Sequence, residues 1–311
     1  MKKRMPASRK YGGFNALLFM PFLFSCYGIV PAGAAAGEGQ PGDRSSPPPL
    51  LASYEQQMSG KVLSGEESAK RITQRYADTQ KVCNDGKAAF WCRGVLLRVT
   101  DAGETWHSWN PSTAAVKRNG VSFYYLSAGD GIKKLGYTGV GLIFSELEAS
   151  PKYTLTARCA YPSNGYSDAR SDSCNARRGY PKSAPCDEQG IDTVDKWVKH
   201  YRNSGSGKYQ CSFKTDKEAF SLSQEARNHF PRPSDRNAGN ELVFAAWPQD
   251  IPDRLAVDAI FYQLRRDIEK ARYIQQDFYR ETHRILPVLH VDLSAPDDEK
   301  FSWHAEDQAV K

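Results

Sequence analysis

The stretch "CRGVLLRVTD", Cys92 to Asp101, decides how this chain is read. Its middle, Val95 to Thr100, is short, aliphatic and β-branched, and reads as a buried strand. Two arginines, Arg93 and Arg98, sit beside and inside that run. Arginine is seldom fully buried unless something pairs with it. Arg98 therefore needs either a solvent-facing side of the strand or a partner. Arg93 lies before the strand proper and is expected to face solvent.

Upstream, Lys2, Lys3, Arg4, Arg9 and Lys10 precede the apolar run Leu17 to Val30, and Ala32-Gly33-Ala34 and Ala34-Ala35-Ala36 offer cleavage sites. Residues 1–36 read as a secretory signal peptide. The run is short and interrupted by proline, which argues against a membrane span. A lipoprotein signal ending at Cys26 is the lesser alternative, because Phe24 fits that pattern poorly. The whole chain carries a formal charge of +6. Loss of the basic leader brings it to about +1, too little field to favour nucleic acid or anionic lipid. About 275 residues remain, enough for one large domain or two small ones.

Six cysteines remain after Cys26: Cys83, Cys92, Cys159, Cys174, Cys186 and Cys211. An even number in an exported chain implies three disulfides, with fifteen pairings open. The expected set is Cys83–Cys92, Cys174–Cys186 and Cys159–Cys211. Neither C-x-x-C nor clustered histidine supports a zinc site, and no metal or resident cofactor is expected.

Residues 37–60 are rich in Gly, Pro and Ser and read as a flexible linker. A helix is predicted over Ser68 to Thr79, and strands over Val95–Thr100, Val121–Leu126, Gly141–Glu148 and Tyr153–Cys159. Asp101 to Asn119 reads as a loop, and 160–215 as a disulfide-rich insertion. Helices over Thr193–Tyr201 and Glu218–Arg227 follow. Then come strands Glu241–Ala246 and Ala256–Tyr262, helix Leu264–Arg280 and strand Ile285–Leu293. The tail, 296–311, is polar and expected to be loose. Without regular βαβα alternation, a doubly wound parallel sheet is disfavoured and the class is α+β, a single domain over 61–295.

Three polar residues fall on these strands: Arg98, Ser122 and Glu241. Singly, each fits a solvent-facing position. In that order they form the R-S-E pattern of ADP-ribosyltransferase-fold proteins. "VLLRVTDAGETWHSWNPS", "GVSFYYLSAG" and "NELVFAAWPQDIPDRLAVDAIFY" resemble that family's first strand and aromatic loop, its S-T-S strand and its glutamate strand. In Ser122-Phe123-Tyr124 only the first serine of the S-T-S triplet is kept. Across residues 65–293 the chain is similar to the halovibrin-type secreted proteins, which are associated with NAD cleavage. The resemblance implies a split β-sheet core with flanking helices, NAD as substrate rather than cofactor, and a host or competitor protein as a possible acceptor.

The chemistry gives each residue a role under that resemblance. Breaking the nicotinamide–ribose bond passes through an oxocarbenium-like state, and nicotinamide leaves without a strong general acid. Glu241 would stabilise the developing charge, Ser122 would orient it, and Arg98 would hold the phosphate or ribose side with its planar fork. Tyr124, Trp106, Trp109 and Trp247 are candidates to stack on the nicotinamide and adenine rings. Ser145-Glu146-Leu147-Glu148 contains an E-x-E doublet of the kind arginine-modifying transferases carry, but it comes too early in the order, so Glu241 is preferred over Glu148. Two residues before Glu241 stands Gly239, not an acid, which favours water or a non-arginine acceptor. The competing class is a non-catalytic binding module that grips a carbohydrate or protein surface with Trp106 and Trp109.

Overall fold

The computed structural model describes residues 65–100, 107–135, 139–144, 155–165, 172, 174–204, 209–230, 239–249, 251–252 and 255–308. The expected signal peptide, Cys26, the 37–60 linker, Trp106 and Glu148 lie outside the described residues.

The architecture is mixed α/β. Eight strands form one open sheet: β1 Val95–Thr100, β2 Val121–Leu126, β3 Val140–Phe144, β4 Ala157–Tyr161, β5 Glu241–Phe244, β6 Ala259–Tyr262, β7 Val288–Val291 and β8 Phe301–Trp303. Their order is β4-β5-β2-β1-β3-β6-β7-β8. All neighbours are antiparallel except β6 and β7. A parallel pair needs a long crossover, and α5, Ile268–Thr282, supplies it. The other helices are α1 Gly65–Ala77, α2 Thr113–Arg118, α3 Val194–Ser204 and α4 Lys217–Asn228.

Midway along β2 the pairing changes hands. Val121 to Phe123 pair with β5, whereas Tyr124 to Leu126 pair with β1. β1 beyond Leu97 pairs only with β3 among the described strands. The sheet therefore opens between the far half of β1 and the near half of β2.

Both faces are covered, which explains the near-continuous apolar strands. On one face Leu96, Phe123, Tyr125, Leu242 and Phe244 pack with Ile274 and Phe278 of α5 and Phe220 of α4. On the other, Leu97, Tyr124, Ile143 and Phe261 pack with Ala69, Ile72 and Tyr76 of α1. Those three α1 residues recur at helical spacing, and acids open the helix while Arg75 closes it, as the helix dipole favours. A Cβ at Gly65 would overlap the Trp303 ring at 1.9 Å, so glycine lets α1 start against β8.

Three expectations need correction. The tail is not loose: Phe301 is buried and β8 pairs with β7, while Asp307 accepts bonds from Tyr262 and Arg265. The loop before β2 contains α2, capped by Ser112 Oγ and ended by Asn119 in the left-handed region at φ 49°. Six residues are too few for a periodic signal. The disulfides are Cys83–Cys92, Cys159–Cys174 and Cys186–Cys211, so only the first was paired as expected. Cys159 lies on the same side of β4 as Tyr161, in contact with Val243 and Cys174. Cys186 and Cys211 instead belong to a satellite core with Trp197, Tyr201, Phe213 and Phe230. Spacing alone cannot separate those two environments.

Cys159–Cys174 closes a loop with a sequence separation of 15. Its replacement by two alanines is expected to cost ~3 kcal/mol of unfolding free energy. Urea denaturation checks this, and an unchanged midpoint would contradict it.

Candidate functional site

The pleat sorts the three strand residues. Successive side chains on a strand point to opposite faces. Leu96 and Thr100 flank Arg98 at two-residue spacing, and Leu96 packs in the Phe123 core. Arg98 accordingly enters that core. Ser122 flanks Phe123 and takes the other face, where it is exposed. Ser122 registers with Val243, and Glu241 is two residues from Val243, so Ser122 and Glu241 share a face. Arg98 does not join them, which corrects the expectation of a converging trio.

Arg98 is 5 % exposed, and two of its donors bind backbone carbonyls within the protein. Nη1 donates to Trp109 O at 2.6 Å and Nη2 to Asn110 O at 2.5 Å. The guanidinium lies over the Trp247 ring at 5.1 Å, and Trp247 Nε1 donates to the same Trp109 carbonyl at 3.1 Å. Burial lowers the guanidinium's pKa from its ordinary value. Its partners are two carbonyl dipoles and an indole face. Arg98 thus clasps residues 109 and 110 to the sheet. Next to them His107 stacks on Trp109 at 4.4 Å and bonds Asp277 at 2.9 Å.

The same packing removes Trp109 and Trp247 from any ligand. They are 0 % and 2 % exposed on the face opposite Ser122. A surface-gripping pair of Trp106 and Trp109 loses its second ring for the same reason. Arg93 is also buried rather than solvent-facing: it donates to Val82 O at 2.9 Å and pairs with Asp78 at 3.0 Å.

Ser122 and Glu241 form the candidate site. Ser122 Oγ donates to Glu241 Oε1 at 2.5 Å. The N–H of Gly165 donates to Oε2 at 2.6 Å. Glu241 opens β5, where Asn240 replaces missing ladder bonds. Its side-chain oxygen accepts from Tyr125 N and its amide donates to Tyr125 O, both at 2.8 Å. This two-point grip locks the backbone immediately before Glu241.

Two tyrosine rings pack against the backbone near Glu241, and glycine is what fits against each. A Cβ at Gly239 would meet the Tyr124 ring at 2.3 Å, and one at Gly165 would meet the Tyr161 ring at 2.8 Å. Tyr124, a residue expected to stack on substrate, is buried in the α1-side core with its ring against Gly239. Gly165 and Asn240 were missed by sequence reading. Gly165 has no signal that sets it apart within its Ser-, Asn- and Gly-rich stretch, and Asn240 could have been read from an amide directly preceding a strand.

A cleft of about 150 Å³ lies elsewhere, with Gln80, Tyr125, Ser127 and Gln224 among its lining residues. Tyr125 packs on the face opposite Ser122, so this cleft is separate from the Glu241 carboxylate. Among the described residues no group of His, Cys, Asp and Glu is placed to hold a metal ion. No described helix is long and apolar enough to cross a membrane. No family model matches the chain, and no curated protein sequence matches it.

Beyond β2, Asp130 is another of the buried carboxyls. It accepts from Ser127 N at 2.9 Å and Ile132 N at 2.7 Å. Burial nevertheless pushes its pKa up to about 6, outweighing those bonds and the nearby Arg227 and Lys300 charges.

Two outcomes are expected. Arg98→Ala should lower unfolding free energy by ~2–4 kcal/mol, because it removes a charged donor from each of two buried carbonyls and empties packed volume beside Trp247. Arg98→Lys should restore little, because one ammonium nitrogen lacks the planar pair of nitrogens that reach the two carbonyls separately and lie over the Trp247 ring. A lysine variant as stable as the parent would refute the clasp. For Asp130, the folded pKa exceeds the unfolded value of 3.8, so protonation favours the folded state. Its ionisation costs ~3 kcal/mol above about pH 6 and nothing below about pH 4. Parent and Asp130→Asn should therefore diverge in pH slope across that window, and parallel urea-midpoint profiles would rule this out.

Proposed function

We propose that this chain is a secreted enzyme that cleaves the nicotinamide–ribose bond of NAD and passes the ADP-ribose to water. One observation carries the reading: Glu241, 5 % exposed, is held by Ser122 Oγ on one oxygen and by Gly165 N–H on the other. The resemblance to NAD-cleaving secreted proteins pairs the same serine and glutamate, and the three disulfides suit an oxidising compartment.

Each carboxylate oxygen can accept more than one hydrogen bond. The ribose 2′-hydroxyl can donate to Glu241 while Ser122 remains bound, and Ser122 is the exposed member through which substrate approaches. The C1′–N bond breaks with its electron pair going to the pyridinium nitrogen, which releases neutral nicotinamide. Positive charge develops on the ribose beside the fixed anion. Water then bonds to C1′ and gives its proton to solvent. Arg98 takes no part, since it faces the other side of the sheet.

Water is the favoured acceptor because the position two residues before Glu241 has no room for a second catalytic side chain. Gly239 is packed against Tyr124.

Incubation of the oxidised chain with NAD should release nicotinamide and ADP-ribose in equal amounts. Glu241→Gln, which keeps size and shape, should lower kcat by about 10²–10³ with little change in Tm. Folded protein that releases no nicotinamide overturns the reading, and a fully active Glu241→Gln enzyme overturns the assignment of Glu241.

A further inference from the structure

Gly165 belongs to the turn that follows β4, and three successive carbonyls of that turn are gripped from outside it. Arg227 of α4, 1 % exposed, donates Nη1 to Pro162 O at 2.7 Å. Gln210, 0 % exposed, donates Nε2 to Ser163 O at 3.0 Å and to Asn164 O at 3.3 Å. Gln210 is placed by its neighbour Cys211, which is bonded to Cys186. The next backbone group along the turn, Gly165 N–H, meets Glu241.

Asn164 C=O and Gly165 N–H belong to one peptide group. That group is planar, and no cis peptide bond occurs among the described residues, so its C=O and N–H point in opposite directions. A donor that fixes the Asn164 oxygen therefore fixes where the Gly165 N–H points. It also polarises the peptide and strengthens that N–H as a donor. We propose that Gln210 is a positioning residue for Glu241. It acts through the 164–165 peptide and forms the middle of a relay from the disulfide-held insertion to the candidate carboxylate. The effect on turnover rests on the NAD-cleaving reading above; the structural relay does not.

The test uses the full oxidised chain. Gln210→Met keeps the side chain's length and apolar stem but removes both donors. In the parent, the Gly165 amide proton should resonate downfield and exchange slowly, and Glu241→Gln should shift it. Gln210→Met should move the same resonance upfield and speed its exchange by about tenfold, while amides of β1 and β3 stay put. With NAD, kcat should fall by about tenfold and KM stay within about twofold, because the substrate's own contacts are untouched.

A Gly165 amide that does not respond to Gln210→Met overturns the proposal. If that variant does not fold, the Glu241→Gln protein still decides: in a relay, loss of the carboxylate charge shifts the Gln210 side-chain amide protons, and no shift there refutes it. A parent that leaves NAD intact while Gly165 responds to Gln210→Met would remove the enzymatic reading and keep the relay.

Discussion

A carboxylate withdrawn from water costs several kcal/mol unless donors meet it. Glu241 stands at the head of β5 with its two oxygens met by a hydroxyl from β2 and an amide N–H from the turn after β4. That requirement orders the surrounding structure. The β2–β5 register must bring Ser122 beside Val243, Asn240 must secure the strand's entry, and the turn must present Gly165 with no Cβ between its backbone and Tyr161. The fold itself holds both donors in place.

The split partnership of β2 separates two kinds of polar group. On the Phe123 face, Arg98 satisfies carbonyls and stabilises the packing of Trp109 and Trp247. On the Ser122 face, the polar groups converge on an acid beside an exposed hydroxyl. Both are buried or half-buried polar networks in a largely apolar sheet. The difference is that the guanidinium's partners are internal, whereas Ser122 faces outward.

The disulfide-rich insertion is coupled to the sheet by a backbone bridge between Phe213 and Ala160 of β4 and by side chains. Its own small core surrounds Trp197 and Phe230. Within the insertion Gln210 grips the turn that carries Gly165, and Arg227 of α4 grips it from outside. Covalent closure of Cys159–Cys174 and Cys186–Cys211 limits the unfolded chain and keeps those long-range bonds from competing with a large loop entropy.

Local pattern was enough for much of this protein. β1 and β2 fall on the predicted residues, and the predicted helices near 194, 217 and 268 are present, because apolar periodicity and β-branched content act over a few neighbours. Ser122 and Glu241 stood out together with Arg98 as polar residues on apolar strands, and the R-S-E resemblance grouped all three. The tertiary structure alone decided which way Arg98 faces, since its partners are carbonyls that carry no side-chain signature. It alone decided the pairing of four cysteines, because that depends on which of two cores each thiol enters. It also drew the tail into the sheet as β8, where three residues too few to show a period are held by pairing with β7. Contacts between residues far apart in the chain leave little trace in local spacing, and the carboxylate's cradle is made of such contacts.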